Sequence, residues 1–298
     1  MKTLAEEYSH SLKMPEVEEV VDRGLFRPVA FILVKLIYRT RVTPNQISFL
    51  SMISGLMSAW QFSKGTPDAA MWGGVWYAIA NTLDCADGQL ARLQQSGTPM
   101  GRVVDGIVDY INGVAIFVGI GVGRAAGGSA QWPLVVAAGV SSALHSVTFD
   151  RYQSVYLSIV RGNTASSAGE YDRYLGEVKR LREGGGNLIR RIAVRSYLIY
   201  LRVQSSFQKD PGTVISDPAI YRQYNRTMMH RWTFLGPSTN RSLLIIAAFA
   251  GYVSGFLWIV VTIGNLWLIL CLHFQRRILR ALRRDDPGSR SIPSANGA

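Results

Sequence analysis

Long apolar runs alternate with basic polar stretches along this chain, and the alternation predicts membrane-length helices rather than a soluble core. The runs cover about 46–63, 69–92, 100–123, 132–150, 242–261 and 264–275, the last of them short for a bilayer. Short loops separate the early runs: Lys64 to Asp68, and a glycine-containing loop from Arg124 to Gln131. The final two runs are expected to part around Gly264. Ahead of them all, residues 25–42 carry Phe26, Val29, Leu33, Leu36 and Ile37 at helical spacing, with Arg27, Lys35, Arg39 and Arg41 supplying charge. Pro28 suits a first helical turn. This segment reads as an amphipathic helix on the membrane surface; the plainer alternative is a helix packed on a partner. Thr43-Pro44-Asn45 ends it and opens the first span.

The fold class expected is therefore all-α and integral to the membrane, with six transmembrane helices preceded by an amphipathic surface helix. Residues 1–24 form a polar N-terminal segment, and 43–284 form one membrane domain. That domain holds a long cytoplasmic insert at 151–241, and 285–298 form a disordered tail. The insert contains fifteen Lys and Arg against six acids, the flexible Gly184-Gly185-Gly186, and a candidate basic surface helix over 190–198. With both termini inside, the insert, the Arg92–Arg102 loop and the arginines after residue 275 lie in the cytoplasm. The loops poor in positive charge lie outside, so every loop obeys the positive-inside rule. The net charge of +12 is then explained by anionic lipid and topology, and nucleic acid is not expected as a partner. Cys85 and Cys271 offer neither a disulfide framework nor a zinc spacing. The first residues show no signal-peptide core.

The second and third spans hold an anomaly. A carboxylate near a helix centre costs about 2.5–3.5 kcal/mol on the insertion scale, yet Asp84, Asp87, Asp105 and Asp109 sit in two consecutive apolar helices. Asp84 and Asp87 are three apart and share a helix face, and Asp105 and Asp109 are four apart and share another. Facing each other across a short loop, they form an all-oxygen site suited to Mg²⁺ or Mn²⁺, and four acids suffice for two ions. An ion pathway, as in a divalent-cation transporter, is the other chemistry such a cluster permits.

The spacing also matches a known signature. Asp84, Asp87, Gly88, Ala91, Arg92, Gly101, Asp105 and Asp109 satisfy D-x2-D-G-x2-A-R-x8-G-x3-D-x3-D at every fixed position. The stretch resembles the CDP-alcohol phosphotransferases (CDP-alcohol phosphatidyltransferases). The resemblance implies an enzyme of phospholipid biosynthesis in which an acceptor alcohol attacks the β-phosphate of a CDP-linked alcohol and releases CMP. It assigns the four aspartates to metal, Asp109 also to the general base, and Gly88, Ala91, Arg92 and Gly101, with Asp84, to the CDP pocket. Asn45 is a further candidate pocket group, or simply a turn residue. The donor is CDP-diacylglycerol with a soluble acceptor, or a soluble CDP-linked head group with a lipid acceptor, the former favoured. The resemblance also implies a homodimer. A bacterial inner membrane is the expected location, and the site is expected to open to the cytoplasm because the Arg92–Arg102 loop and the basic insert lie there. Finally, Gly236 to Arg241 place hydroxyls and an arginine before the fifth span. Arg241, with Arg231, is the candidate binder of an acceptor phosphate, against the simpler reading of a capped helix with a snorkelling arginine.

Overall fold

A computed structural model describes residues 3–97, 99–128, 131–160 and 217–285. Every regular element among them is helical. Several helix starts are written into the sequence as Thr-Pro or Gly-Pro steps. A capping box of Thr3 and Glu6 opens α1 (Leu4–Ser11). A π turn (Asp22–Phe26) then feeds α2 (Arg27–Ile37). Thr43 and Gln46 cap each other's backbone at α3 (Pro44–Phe62), and Thr66 caps α4 (Pro67–Leu93). Next come α5 (Pro99–Ala126), α6 (Trp132–Val160), α7 (Pro218–Trp232) and α8 (Pro237–Phe249). The last helix starts as α9 (Val253–Ile259), passes through a π turn (Val260–Gly264) and continues as α10 (Asn265–Asp285).

Among the described residues, three stretches are long and apolar enough to cross a membrane: Val104–Ala126, Trp132–Val160 and Val253–Leu282. This is fewer than the six expected. The physical reason is visible in α3 and α4, whose polar residues face inward. Ser51 Oγ bonds the Ala80 carbonyl at 2.9 Å, and Ser58 Oγ bonds the Gly73 carbonyl at 2.7 Å. These serines are buried between helices and lower the apolar content without meeting lipid.

One boundary differs from expectation. The chain breaks at Ala250–Tyr252, not around Gly264. Gly251 adopts φ 67°, and the Tyr252 amide reaches back to the Ala247 carbonyl at 2.7 Å, which closes α8. Gly264 lies inside a continuous helix, packed against the His145 ring. The segment over 161–216, with its glycine triplet and basic stretch, and the tail over 286–298 lie outside the described residues.

The chain falls into two compact units. The first holds residues 1–148 and 233–268. There α3 packs against both α4 and α5, and α2 and α8 pack against α4. From the π turn and α2, Phe26, Ala30 and Val34 enter the core, whereas Val29, Ile32 and Leu36 stay exposed. The apolar stripe read from the sequence is thus divided between two faces of that helix. The second unit holds 149–232 and the chain after Leu268. In it Trp232 stacks on Tyr152 with ring centres 4.4 Å apart and donates to Gln275 at 3.0 Å, while Gln275 donates to Asn225 at 2.7 Å.

Near the C-terminal end of α3, contact with α5 is backbone to backbone. A Cβ on Gly119 would fall on the Ala59 carbonyl, and one on Gly123 on the Phe62 carbonyl. Gly119→Ala is expected to destabilise the protein by about 1–3 kcal/mol through overpacking, read as a lowered thermal midpoint in detergent.

Candidate active site

The polar face of α4 carries Asn81, Asp84, Asp87 and, one turn further, Gly88 and Arg92. Helix α5 brings Asp105 and Asp109. The shared partner α3 fixes both. Ser48 donates to Asp87 Oδ2 at 2.5 Å, and the Asn112 amide on α5 reaches the Ser51 carbonyl at 3.4 Å. One carboxylate oxygen from each of Asp84, Asp87 and Asp105 lies within 4.8 Å of the other two. Asp105 Oδ1 is buried with no hydrogen-bond partner. A hard divalent cation fits such a site, because all donors are oxygen and one buried carboxylate oxygen awaits a ligand.

Asp109 stands beside this trio and is joined to it through Arg241. The guanidinium donates from Nη1 to Asp84 Oδ2 at 2.7 Å and to Asn81 Oδ1 at 2.9 Å, and from Nη2 to Asp109 Oδ1 at 2.5 Å. Asp109 is the most open of the three charged side chains at 36% exposure, against 20% for Asp84 and 11% for Arg241. The structure thus gathers the four expected aspartates and adds a cation between two of them. Arg231 belongs to the second unit, where its guanidinium lies 5.5 Å from the Phe274 ring centre.

The expected pocket residues divide. A Cβ on Gly88 would make an ordinary 3.4 Å contact with the Arg92 guanidinium, which lies over that strip of α4. Arg92 Nε donates to the Ser11 carbonyl at 2.5 Å, and its Nη2 is buried without a partner. Gln89 Nε2 donates to Ser11 Oγ at 3.0 Å, with its Oε1 also unpartnered. Ala91 and Gly101 are partly buried. Asn45 is exposed in an open groove of about 480 Å³ lined by Val42, Asn45, Gln46, Phe49 and Leu50, none of them acidic.

The N-terminal segment is the part that sequence reasoning misses. Its composition shows only a polar stretch, yet it buries Ser11, Glu16, Glu18, Glu19 and Asp22. Arg27 Nε donates to Glu18 Oε1 at 2.7 Å, and Arg27 Nη1 to the Cys85 carbonyl at 3.1 Å, which ties the segment to α4 between Asp84 and Asp87. Glu19 accepts from the start of α8. Burial first, and the nearby Asp22 second, push its carboxyl up to about 7, against the downward pull of hydrogen bonds from Thr239 and Ser238. No periodicity marks these acids; their unusual density just before Arg27 is the one signal the sequence offers.

A raised carboxyl means that folding favours the protonated form. The Glu19 contribution to stability is complete below its ordinary value of 4.5 and is lost as pH rises through about 7. Thermal midpoints measured between those limits should therefore fall with pH, and the slope should flatten in Glu19→Gln.

Known proteins resemble the stretch that carries the four aspartates. Residues 41–162 match the family model described as CDP-alcohol phosphatidyltransferase, a stretch that runs from before α3 to the end of α6 and holds all four aspartates. A curated relative from Thermococcus kodakarensis, named "Bifunctional IPC transferase and DIPP synthase", is 34% identical over 94 residues. That match covers 31% of this chain and only 21% of the relative. Residues 41–162 are thus similar to the CDP-alcohol phosphatidyltransferase family.

Proposed function

We propose that the protein is a membrane-embedded CDP-alcohol phosphotransferase. It transfers the phosphate-linked alcohol of a CDP-alcohol to a second alcohol, releases CMP, and serves phospholipid synthesis. The observation that carries this reading is the convergence of Asp84, Asp87 and Asp105 within 4.8 Å, with Asp109 next to them through Arg241. The family match and the transferase named above support it.

Asp84, Asp87 and Asp105 would hold Mg²⁺ or Mn²⁺, and Asp109 completes the set where two ions bind. A cation held by these residues would supply charge neutralisation for the pyrophosphate and for departing CMP. The residues themselves do the rest. Ser48 orients Asp87 toward the centre. Asp109, whose side chain is more open than that of Asp84, takes the proton of the acceptor hydroxyl. The freed oxygen attacks the β-phosphorus, the bond to the α-phosphate oxygen breaks, and CMP leaves. Arg241 fixes the Asp109 carboxylate and faces the phosphate of the incoming substrate. Arg92 Nη2 and Gln89 Oε1, buried and unpartnered above the Gly88 strip, are the protein groups available to the nucleotide side of the donor.

In this reading CDP-diacylglycerol is the donor, and a soluble alcohol is the acceptor. The six helices α3, α4, α5, α6, α8 and α9–α10 lie in a bacterial inner membrane with the site toward the cytoplasm. Two copies of the chain form the working unit.

The test is CMP release by purified protein in nanodiscs, with CDP-diacylglycerol or CDP-linked head groups, a panel of alcohols, and Mg²⁺ or Mn²⁺. Asp109→Asn is expected to lower the rate by about 10²–10⁴-fold with the fold intact. Release from no pair, with metal-dependent ion flux into liposomes, would replace this reading with a transporter. Independently of turnover, Asp105→Asn should weaken Mn²⁺ binding by about tenfold or more, followed by the free-ion EPR signal.

A further inference from the structure

Helix α8 starts without a cap of its own. Its N-cap residue is Gly236, which has no side chain to receive the free amides of the first turn. The missing acceptor comes from the far end of the chain. Glu19 Oε1 accepts from the Ser238 amide at 3.2 Å, and Oε2 accepts from the Thr239 amide at 2.7 Å. The Thr239 hydroxyl lies 2.8 Å from the same Oε2. Glu19 is only 6% exposed. A Cβ at position 236 would fall on its carboxylate, so glycine there is what lets the acid lie across the helix end.

This cap is two contacts from the reacting groups. Ser238 Oγ lies 3.5 Å from Asn81 Oδ1, and the same Asn81 oxygen accepts from Arg241 Nη1 at 2.9 Å. Arg241 is three residues beyond Ser238 on α8, on nearly the same face. Rotation or sliding of α8 at its first turn therefore moves the guanidinium directly relative to Asp84 and Asp109. Glu19 is itself fixed through its neighbours. Glu18 accepts from Arg27 and from the Lys13 amide at 2.8 Å, and Arg27 bonds the α4 backbone at Cys85. The acid is thus tied to the helix that carries Asp84 and Asp87.

We propose that Glu19 is a positioning residue: its carboxylate, laid across the N-terminus of α8, sets the rotation and height at which Arg241 meets Asp84 and Asp109. Its catalytic consequence rests on the reading of the four aspartates as the active site; its structural content does not. Glu19 touches no reacting group and acts only through α8.

The test reads Arg241 itself. Full-length protein in nanodiscs is treated with phenylglyoxal, and modification of each arginine is followed by peptide mass spectrometry. In the wild type Arg241, held by two carboxylates, reacts slowly. In Glu19→Ala and Gly236→Ala it is expected to react about tenfold faster, while Arg124, held by Ser254 and Gln131 on another helix, keeps its rate. Glu19→Asp keeps the charge but shortens the reach. It decides the case if Glu19→Ala does not fold, and is expected to speed Arg241 alone. An unchanged Arg241 rate in the folded variants overturns the proposal. So does a parallel rise at Arg241 and Arg124, which would mean general loosening. If the wild type releases no CMP, the proposed reaction falls, yet the arginine rates still decide the role of Glu19.

Discussion

Four carboxylates within two neighbouring helices repel one another, and among the described residues the Arg241 guanidinium bonds two of them. Arg241 spans Asp84 and Asp109 and is itself only 11% exposed. A buried ion pair adds little to stability beyond what a well-packed apolar substitute gives, because desolvation offsets the attraction. Its value lies in specificity, since an arginine with two carboxylate partners and one amide partner has one geometry. Beside that pair, Asp105 Oδ1 is buried with no hydrogen-bond partner. A protein that only needed a folded bundle would gain by replacing these acids with leucine. Their retention is understandable if the excess negative charge is itself the working part, poised for cations and for a phosphate that arrives with them.

The rest of the first unit can be understood as support for that charge. Helix α3 contributes almost no acid or base, yet it is in contact with both acid-bearing helices. Its serines bond the α4 backbone and Asp87, and its C-terminal half meets α5 through Gly119 and Gly123 with no side chain between. Hydroxyls fix α4 in register, and glycines bring α5 close. The two devices act on different partners. Together they let acids on separate helices come within a few ångströms while apolar side chains such as Phe49, Leu50 and Ile53 remain exposed.

The aspartates are legible in the sequence because their chemistry is local. Spacings of three and four residues survive in any straight helix, so spacing alone puts Asp84 with Asp87, and Asp105 with Asp109, on shared faces. Helix starts are legible for the same reason, since Thr43-Pro44 and Thr66-Pro67 act within one turn. Contacts between distant parts of the chain are not. Arg241 lies 157 residues from Asp84 and 132 from Asp109, and the sequence allows it to be a phosphate binder or a snorkelling anchor without showing that it holds two of the acids. The break after α8 falls away from its expected place because two glycines compete for it. Gly251 takes a positive φ, whereas Gly264 is used for its lack of bulk beside His145. Composition cannot separate those two uses of glycine.

The N-terminal segment shows how far a site can depend on residues with no pattern. Ser11 receives Gln89 and Arg92, Glu18 receives Arg27, and Glu19 receives α8. Three different elements of the site region are thus tied to the segment from Ser11 to Glu19. Each tie is a hydrogen bond to a buried polar atom, where loss of the partner costs more than the bond contributes when made. A bundle held only by apolar packing can slide by small steps at little cost, because such contacts have no direction. Directional bonds to a common strap remove that freedom at Arg27, Arg92 and Arg241 together. The geometry of the arginines is then set as one body with the segment, and a change at Glu19 is transmitted to Arg241 without passing through the core.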